Sequence, residues 1–341
     1  MTAPAHDPAA GPPPALVAAG AVVGPRGARA GVVSFGDVAA EAAALRDGAG
    51  VVPLVGFAVH AATGADARAF LHRMLSQDVQ GLALGEGRPA TFLDVRGRVQ
   101  GDPVVLAAVD ALLLAQEPAA AARAVPGLER YVIADDVTFA DVGPAWDVLV
   151  LAGAAAAAVG AVALPALRAA GGAAASLGWR SGGATLVAAP IAARAFAALV
   201  AAGATPAGEA ALDVARVAAL APWFGAELDD RVLPNEAVLD AAISWTKGCY
   251  LGQEPVVMAR HRGRPPTTLV RVVWAAGDPP GRDAPLLDAG RRVGRVTTAV
   301  RADAGRPGGA GLAYVRTDLA RVGVVLTLED GRAVEVAAVA T

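Results

Sequence analysis

One cysteine, Cys249, and four histidines, His6, His60, His72 and His261, are all that 341 residues offer to thiol or imidazole chemistry. A single thiol excludes an internal disulfide, and neither CxxC nor HExxH spacing occurs, so no metal is expected to be bound by this chain alone. Aromatic residues make up 4% of the chain against 55% hydrophobic residues. Most of the apolar content is therefore alanine and valine, which predicts fine-grained cores. Neither charge dominates: a net charge of −3 and a pI near 5.8 give no global attraction to nucleic acid or to an anionic membrane. The N-terminus lacks the basic start and compact apolar run of a secretion signal, and residues 1–14, rich in Ala, Pro and Gly, read as a disordered tail. The one long uncharged run, Val148 to Leu167, is mostly alanine and glycine with Pro165 near its end. It reads as a buried strand at 148–151, a turn at Ala152-Gly153 and an Ala-rich helix from 154 to 170, not as a membrane span. A cytoplasmic protein with no nucleic-acid and no membrane partner is the expectation.

The length suggests two or three domains. Helical spacing over Asp37–Arg46 is followed by strand-like alternation over Val51–Ala62 and by a helix with Ala67, Phe70, Leu71, Met74 and Leu75 on one face, opened by a capping-box variant at Thr63–Asp66. Strands are expected at Thr91–Val95, Val104–Ala108 and Leu112–Leu114, the last two forming a hairpin, and Arg130–Ile133 followed by Asp135–Phe139 reads as a strand pair or strand entry, with a strand at 185–189 and a helix at 191–202 after the Ala-rich helix. Pro265-Pro266 marks a linker. Beyond it, Leu269–Trp274, Arg292–Thr298, Leu312–Val315, Val322–Leu328 and Ala333–Val339 are five short β-like runs, the pattern of a small β-barrel. The fold class is thus α+β, with a mixed region over 15–262 and a C-terminal β-barrel over 267–341.

The densest chemistry lies in Lys247-Gly248-Cys249-Tyr250-Leu251-Gly252-Gln253-Glu254. A thiolate is the reactive form of cysteine, and a neighbouring ammonium favours it, so Cys249 and Lys247 are the first candidates for a catalytic role. The competing reading is a small buried hydrophobe, because free cysteine is among the most buried residue types. Gly248 and Gly252 are expected to supply positive φ or a close backbone approach, and Gln253 and Glu254 to hold the loop or contact a ligand. Arg260, Arg262 and Arg264, with His261, form a basic cluster suited to a carboxylate-bearing ligand or an acidic surface, or a merely solvated face.

Residues 247–254 match every fixed position of Lys-Gly-Cys-Phe/Tyr-x-Gly-Gln-Glu, and by this the chain resembles the folate-binding YgfZ family, relatives of the glycine-cleavage T-protein, or aminomethyltransferase. Further landmarks fall in that family's order: Gln77-Asp78-Val79, Gly97-Arg98-Val99, Leu233-Pro234-Asn235-Glu236 and Ala242-Ile243-Ser244. The resemblance implies two α+β subdomains in a ring around a central folate-sized cavity, closed by the barrel. It implies tetrahydrofolate as cofactor, a role in assembly or repair of iron–sulfur clusters in other enzymes, and such enzymes or cluster-assembly proteins as partners. On the same ground Asp102, Arg216, Gly248, Tyr250, Gly252, Gln253, Glu254 and Arg262 are candidate cofactor-binding residues. One cysteine cannot ligate a conventional cluster, which takes about four, so any cluster contact would be shared with a partner.

Two departures qualify the carry-over. The paired aspartates of the T-protein pattern are reduced to Asp102, because Gly101 stands at the other position. The pterin-binding glutamate is replaced by Ala218, so that Glu209, Asp213 or Glu227 would have to supply the acceptor. Whether the chain is an enzyme stays open: a folate-dependent one-carbon transferase and a non-catalytic folate-binding scaffold are the alternatives to an accessory protein acting through Cys249.

Overall fold

The structure is a computed structural model that describes residues 13–27, 29–179, 183–237, 239–262, 265–301 and 308–339. Most of the expected tail, residues 1–12, lies outside the described residues, as do Gly263 and Arg264. The described residues fall into two compact units. The first is drawn from Met1–Leu93, Gln100–Leu212 and Ala241–Leu251, and the second from Asp94–Val99, Asp213–Asp240 and Gly252–Thr341.

Two five-stranded sheets organise the first unit. One runs in the order Thr138–Asp141, Ala58–Thr63, Ala111–Gln116, Val104–Ala108, Gly87–Pro89, all antiparallel. The expected hairpin is its centre, with Leu106 opposite Leu113. Helices Ala67–Met74 and Pro118–Glu129 add Phe70, Leu71, Met74, Ala124 and Leu128 to the core on this sheet. The other sheet runs Ala173–Ser176, Ala184–Pro190, Trp146–Ala152, Gly50–Pro53, Thr205–Pro206, with only the last pair parallel. Helices Ala156–Ala169 and Ala195–Ala201 share its core through Val159, Ala163, Leu167 and Leu199. The uncharged run is therefore a strand and a helix. Among the described residues no helix is long and apolar enough to cross a membrane.

Several local expectations are corrected. Val51–Ala62 is not one strand but two, Gly50–Pro53 and Ala58–Thr63, in different sheets. Pro53 has no N–H to continue a ladder, and Gly56 takes φ +74°, which redirects the chain. Asp66 does cap the helix at 67, but by position only. Its Oδ2 accepts from Asp136 N at 2.9 Å while Asp136 Oδ2 accepts from Ala65 N at 3.0 Å, so the pair ties two loops together. Residues 130–133 are turns after the helix Pro118–Glu129 and do not form a strand. The buried face of that helix, Ala120, Ala121, Ala124, Val125 and Leu128, has helical spacing that Pro118 and Pro126 obscure.

In the second unit the C-terminal strands close into a barrel of six, in the order Thr267–Trp274, Gly309–Arg316, Arg291–Arg301, Pro285–Asp288, Val325–Thr327, Ala333–Val339 and back to the first. The strand missing from the sequence reading, Pro285–Asp288, is short and proline-led. Closure removes both sheet edges and seals a core of Val270, Val272, Trp274, Val296, Val315, Val334 and Val336.

Candidate functional site

Cys249 lies in the first unit on an exposed loop, and its side chain is solvent-accessible. The reading of Cys249 as a buried hydrophobe is thereby excluded. Lys247, which is the chain's only lysine, turns its ammonium onto backbone. It donates to His72 O, to Leu75 O at 2.6 Å and to Gln77 O at 3.3 Å. These carbonyls sit in the last turn of helix Ala67–Met74 and just beyond it, where carbonyls have no intrahelical partner. Lys247 is thus a side-chain cap for a helix distant in sequence. Burial pulls its pKa down to about 8, with the Asp78 charge opposing.

Neighbouring bonds fix the same junction. Ser76, fully buried, donates from Oγ to Ala242 O at 2.6 Å and accepts from Thr91 N at 2.8 Å, while Gln77 Nε2 donates to Ala241 O at 2.8 Å. Two landmarks far apart in sequence, 76–78 and 241–247, therefore meet. Tyr250 is buried, its hydroxyl pushed up to about 12 by desolvation, and the Lys247 ammonium stands 5.3 Å from its ring centre. Gly248 departs from expectation: its φ is not positive, and a Cβ there would meet nothing within 4 Å. It neither relieves strain nor makes room for backbone.

Asp102 belongs to a different cluster of the same unit. Its Oδ1 is sealed from solvent and has no hydrogen-bond partner among the described residues. Burial, reinforced by the charge of Glu117, raises its carboxyl to about 8, so it stands as a neutral acid at pH 7. Glu117, at the head of helix Pro118–Glu129, accepts from Arg29 Nη2 at 2.9 Å. Arg29 also donates to both oxygens of Glu209 at 2.8 Å and to Val55 O at 2.9 Å. Burial opposes the charge on Arg29, but Glu209 and Glu117 outweigh it and raise its pKa. Gln116, 1% exposed, leaves both amide atoms without a partner among the described residues. Its Oε1 would lie 3.0 Å from a Cβ at position 101, which only glycine leaves open. The sequence pattern does not single out Arg29, Gln116 and Glu117; the one local signal is a Gln-Glu pair ending an otherwise apolar strand.

Arg216, Gly252, Gln253, Glu254 and Arg262 belong to the second unit. Arg216 is 4% exposed and donates to Asp213 Oδ1 and Glu227 Oε2, both at 2.7 Å, and to Thr298 Oγ1 at 2.6 Å. Burial opposes its charge, and Glu227 and Asp213 more than compensate. Arg216 therefore ties its helix to a barrel strand. All three carboxylates considered as replacements at Ala218 hold arginines: Glu209 holds Arg29, and Asp213 and Glu227 hold Arg216. Gly252 has φ +75°, as expected, and the turn at Gly97, φ +74°, would bring a Cβ to 3.2 Å from Gly252 O. Gln253 and Glu254 begin helix Gln253–Arg262, Glu254 exposed in its first turn where a carboxylate complements the helix dipole. Arg262 ends that helix, and its side chain lies outside what the structure describes. No group of His, Cys, Asp and Glu among the described residues is arranged to hold a metal ion.

Residues 14–168 match the family model of the GCVT N-terminal domain. The chain is similar to the aminomethyltransferase of Geobacillus kaustophilus, 33% identical over 131 residues that cover 37% of this chain and 35% of that protein. It is similar also to the aminomethyltransferase of Thermosynechococcus vestitus, 35% identical over 65 residues, 19% of this chain and 18% of that one. The matches thus span about a third or less of these curated relatives. Among solved structures, the glycine cleavage system aminomethyltransferase T from Bartonella henselae superposes with a TM-score of 0.77 at 23% identity, covering 95% of each chain. The chain is GcvT-like in fold and aminomethyltransferase-related in sequence, and the α+β body with its barrel agrees with the fold class expected above.

Proposed function

We propose that this protein binds tetrahydrofolate and serves iron–sulfur enzymes as an accessory factor in cluster assembly or repair, acting through the Cys249 loop. The observation that carries the reading is the chain's only thiol, solvent-exposed on a loop anchored by the Lys247 cap. One exposed cysteine can supply one of the roughly four ligands of a cluster, so its partner must supply the others. The cluster is cargo here, not a resident cofactor.

Fit to a folate is supported by the orphaned polar atoms around Asp102. A protonated Asp102 donates, and the amide of Gln116 both donates and accepts, which is the complement a pterin ring edge requires. Glu209, Asp213 and Glu227 do not replace the acceptor missing at Ala218, being engaged with arginines. Bound tetrahydrofolate would supply a one-carbon carrier; the protein's own part is to bind and orient it and to hold a proton on Asp102.

Calorimetric titration with tetrahydrofolate under anaerobic, reducing conditions is expected to show saturable micromolar binding; absence of binding removes the folate half of the proposal. In a deletion strain, Cys249→Ser is expected to fold normally yet fail to restore activity of a cluster-dependent enzyme. Full rescue by that variant would sink the thiol role. A second reading, a folate-dependent aminomethyl or methyl transferase, is favoured by Asp102, a neutral acid able to deliver a proton. It demands turnover of a methylamine or aminomethyl donor that disappears in Asp102→Asn.

A further inference from the structure

A cavity of about 310 Å³ opens in the second unit between the barrel wall and the segment 231–236. That is at the lower end of the range of pockets that hold small molecules, ~300–1,000 Å³. Val232, Val293 and the ring of Tyr314 give it apolar walls, and Arg231, Arg292 and Arg295 stand along it. Its carboxylate, Glu236, is 5% exposed and engaged on all sides. It accepts from Arg98 Nη1 at 3.2 Å, Leu233 N at 2.9 Å and Thr267 Oγ1 at 2.6 Å, so its charge is matched inside the wall.

The arginines keep unused donors. Arg231 directs Nε and Nη2 to Asp229, which leaves Nη1. Arg295 gives Nη1 to Asp283 at 2.8 Å and lies 5.4 Å over the Tyr314 ring, leaving Nε and Nη2. Arg292 is exposed, and its side chain has no ion pair or hydrogen bond among the described residues. Guanidinium groups bind oxyanions through two parallel N–H bonds, and one stacked on an aromatic ring has its fork already oriented. Apolar walls add contact area that a bare inorganic ion would not use.

We propose that this cavity binds a small organic polyanion, whose carboxylate or phosphate groups are gripped by Arg292 and Arg295 while its carbon skeleton lies on Val232, Val293 and Tyr314. This is independent of the folate reading. The test is titration of the full-length protein at low salt with citrate and with 3-phosphoglycerate, using inorganic phosphate as the bare-ion control. One of the two organic anions is expected to saturate a single site, and which one binds tighter assigns carboxylate or phosphate. Arg292→Ala should weaken that binding about tenfold or more, the worth of a charge-assisted bidentate contact, with Arg292→Lys intermediate because it keeps charge without the fork. Arg321→Ala, an exposed arginine outside the cavity, should leave it unchanged. No saturation by either anion up to ~10 mM, equal loss in Arg321→Ala, or inorganic phosphate binding as tightly as both organic anions would each overturn the proposal.

Discussion

Asp102→Asn is expected to stabilise the protein at pH 8 by roughly 5 kcal/mol and to leave stability at pH 3 unchanged. In the folded chain the carboxyl keeps its proton up to about pH 8, whereas in the unfolded chain it loses it near the ordinary value of 3.8. The folded state therefore binds the extra proton between those limits. Its stabilising contribution is complete below pH 3.8 and is lost as pH rises through 8. Asparagine has the same shape and no charge to bury, so the variant lacks this slope. Guanidinium unfolding at several pH values between 3 and 9 measures it; parallel profiles for the two proteins would show that Asp102 is not held protonated. If the transferase reading holds, the same substitution abolishes turnover while strengthening the fold. A group that costs stability and gains function in this way is the mark of a working acid.

Lys247→Met is the second large effect, in the opposite direction. Methionine keeps most of the buried stem, so the difference isolates the ammonium and the three carbonyls it satisfies at His72, Leu75 and Gln77. Losing charge-assisted hydrogen bonds and leaving carbonyls unpaired at a helix end is expected to cost about 3 kcal/mol. Urea unfolding reads the loss, and amide hydrogen exchange should rise in residues 72–79 and in the Cys249 loop. Unchanged stability and exchange would mean that the cap contributes nothing. Lys247→Arg should recover part of the loss, since a guanidinium donates to carbonyls in a different geometry.

The sequence shows the α+β class, the central hairpin, the Ala-rich helix and the barrel because each rests on local periodicity: alternation for 104–108 and 112–114, helical spacing for 154–170. Features that depend on partners far along the chain are not visible there. Lys247 beside Cys249 in sequence suggests thiol activation, yet the ammonium is engaged with carbonyls some 170 residues away. Arg216 sits where the resemblance places a ligand contact, but Asp213, Glu227 and Thr298 surround it. Arg29 meets Glu117 and Glu209 across separations that no spacing rule reaches. Gly252 was legible, because glycine at a positive-φ turn is a local requirement. Gly248 falls under the same rule and departs from it: its φ is not positive, and a Cβ there would meet nothing within 4 Å.

The pairing of one lysine with one exposed cysteine, a single residue apart, also makes this loop chemically addressable. A maleimide dye has one target, Cys249, and reports directly on the region proposed to meet partners. The only ε-amine, Lys247, is held by backbone carbonyls, so an amine-reactive tag at neutral pH should mark the α-amino group first and reach the loop when the cap opens. The ratio of the two labels then reads out opening of that junction in the unmodified protein, without any engineered reporter.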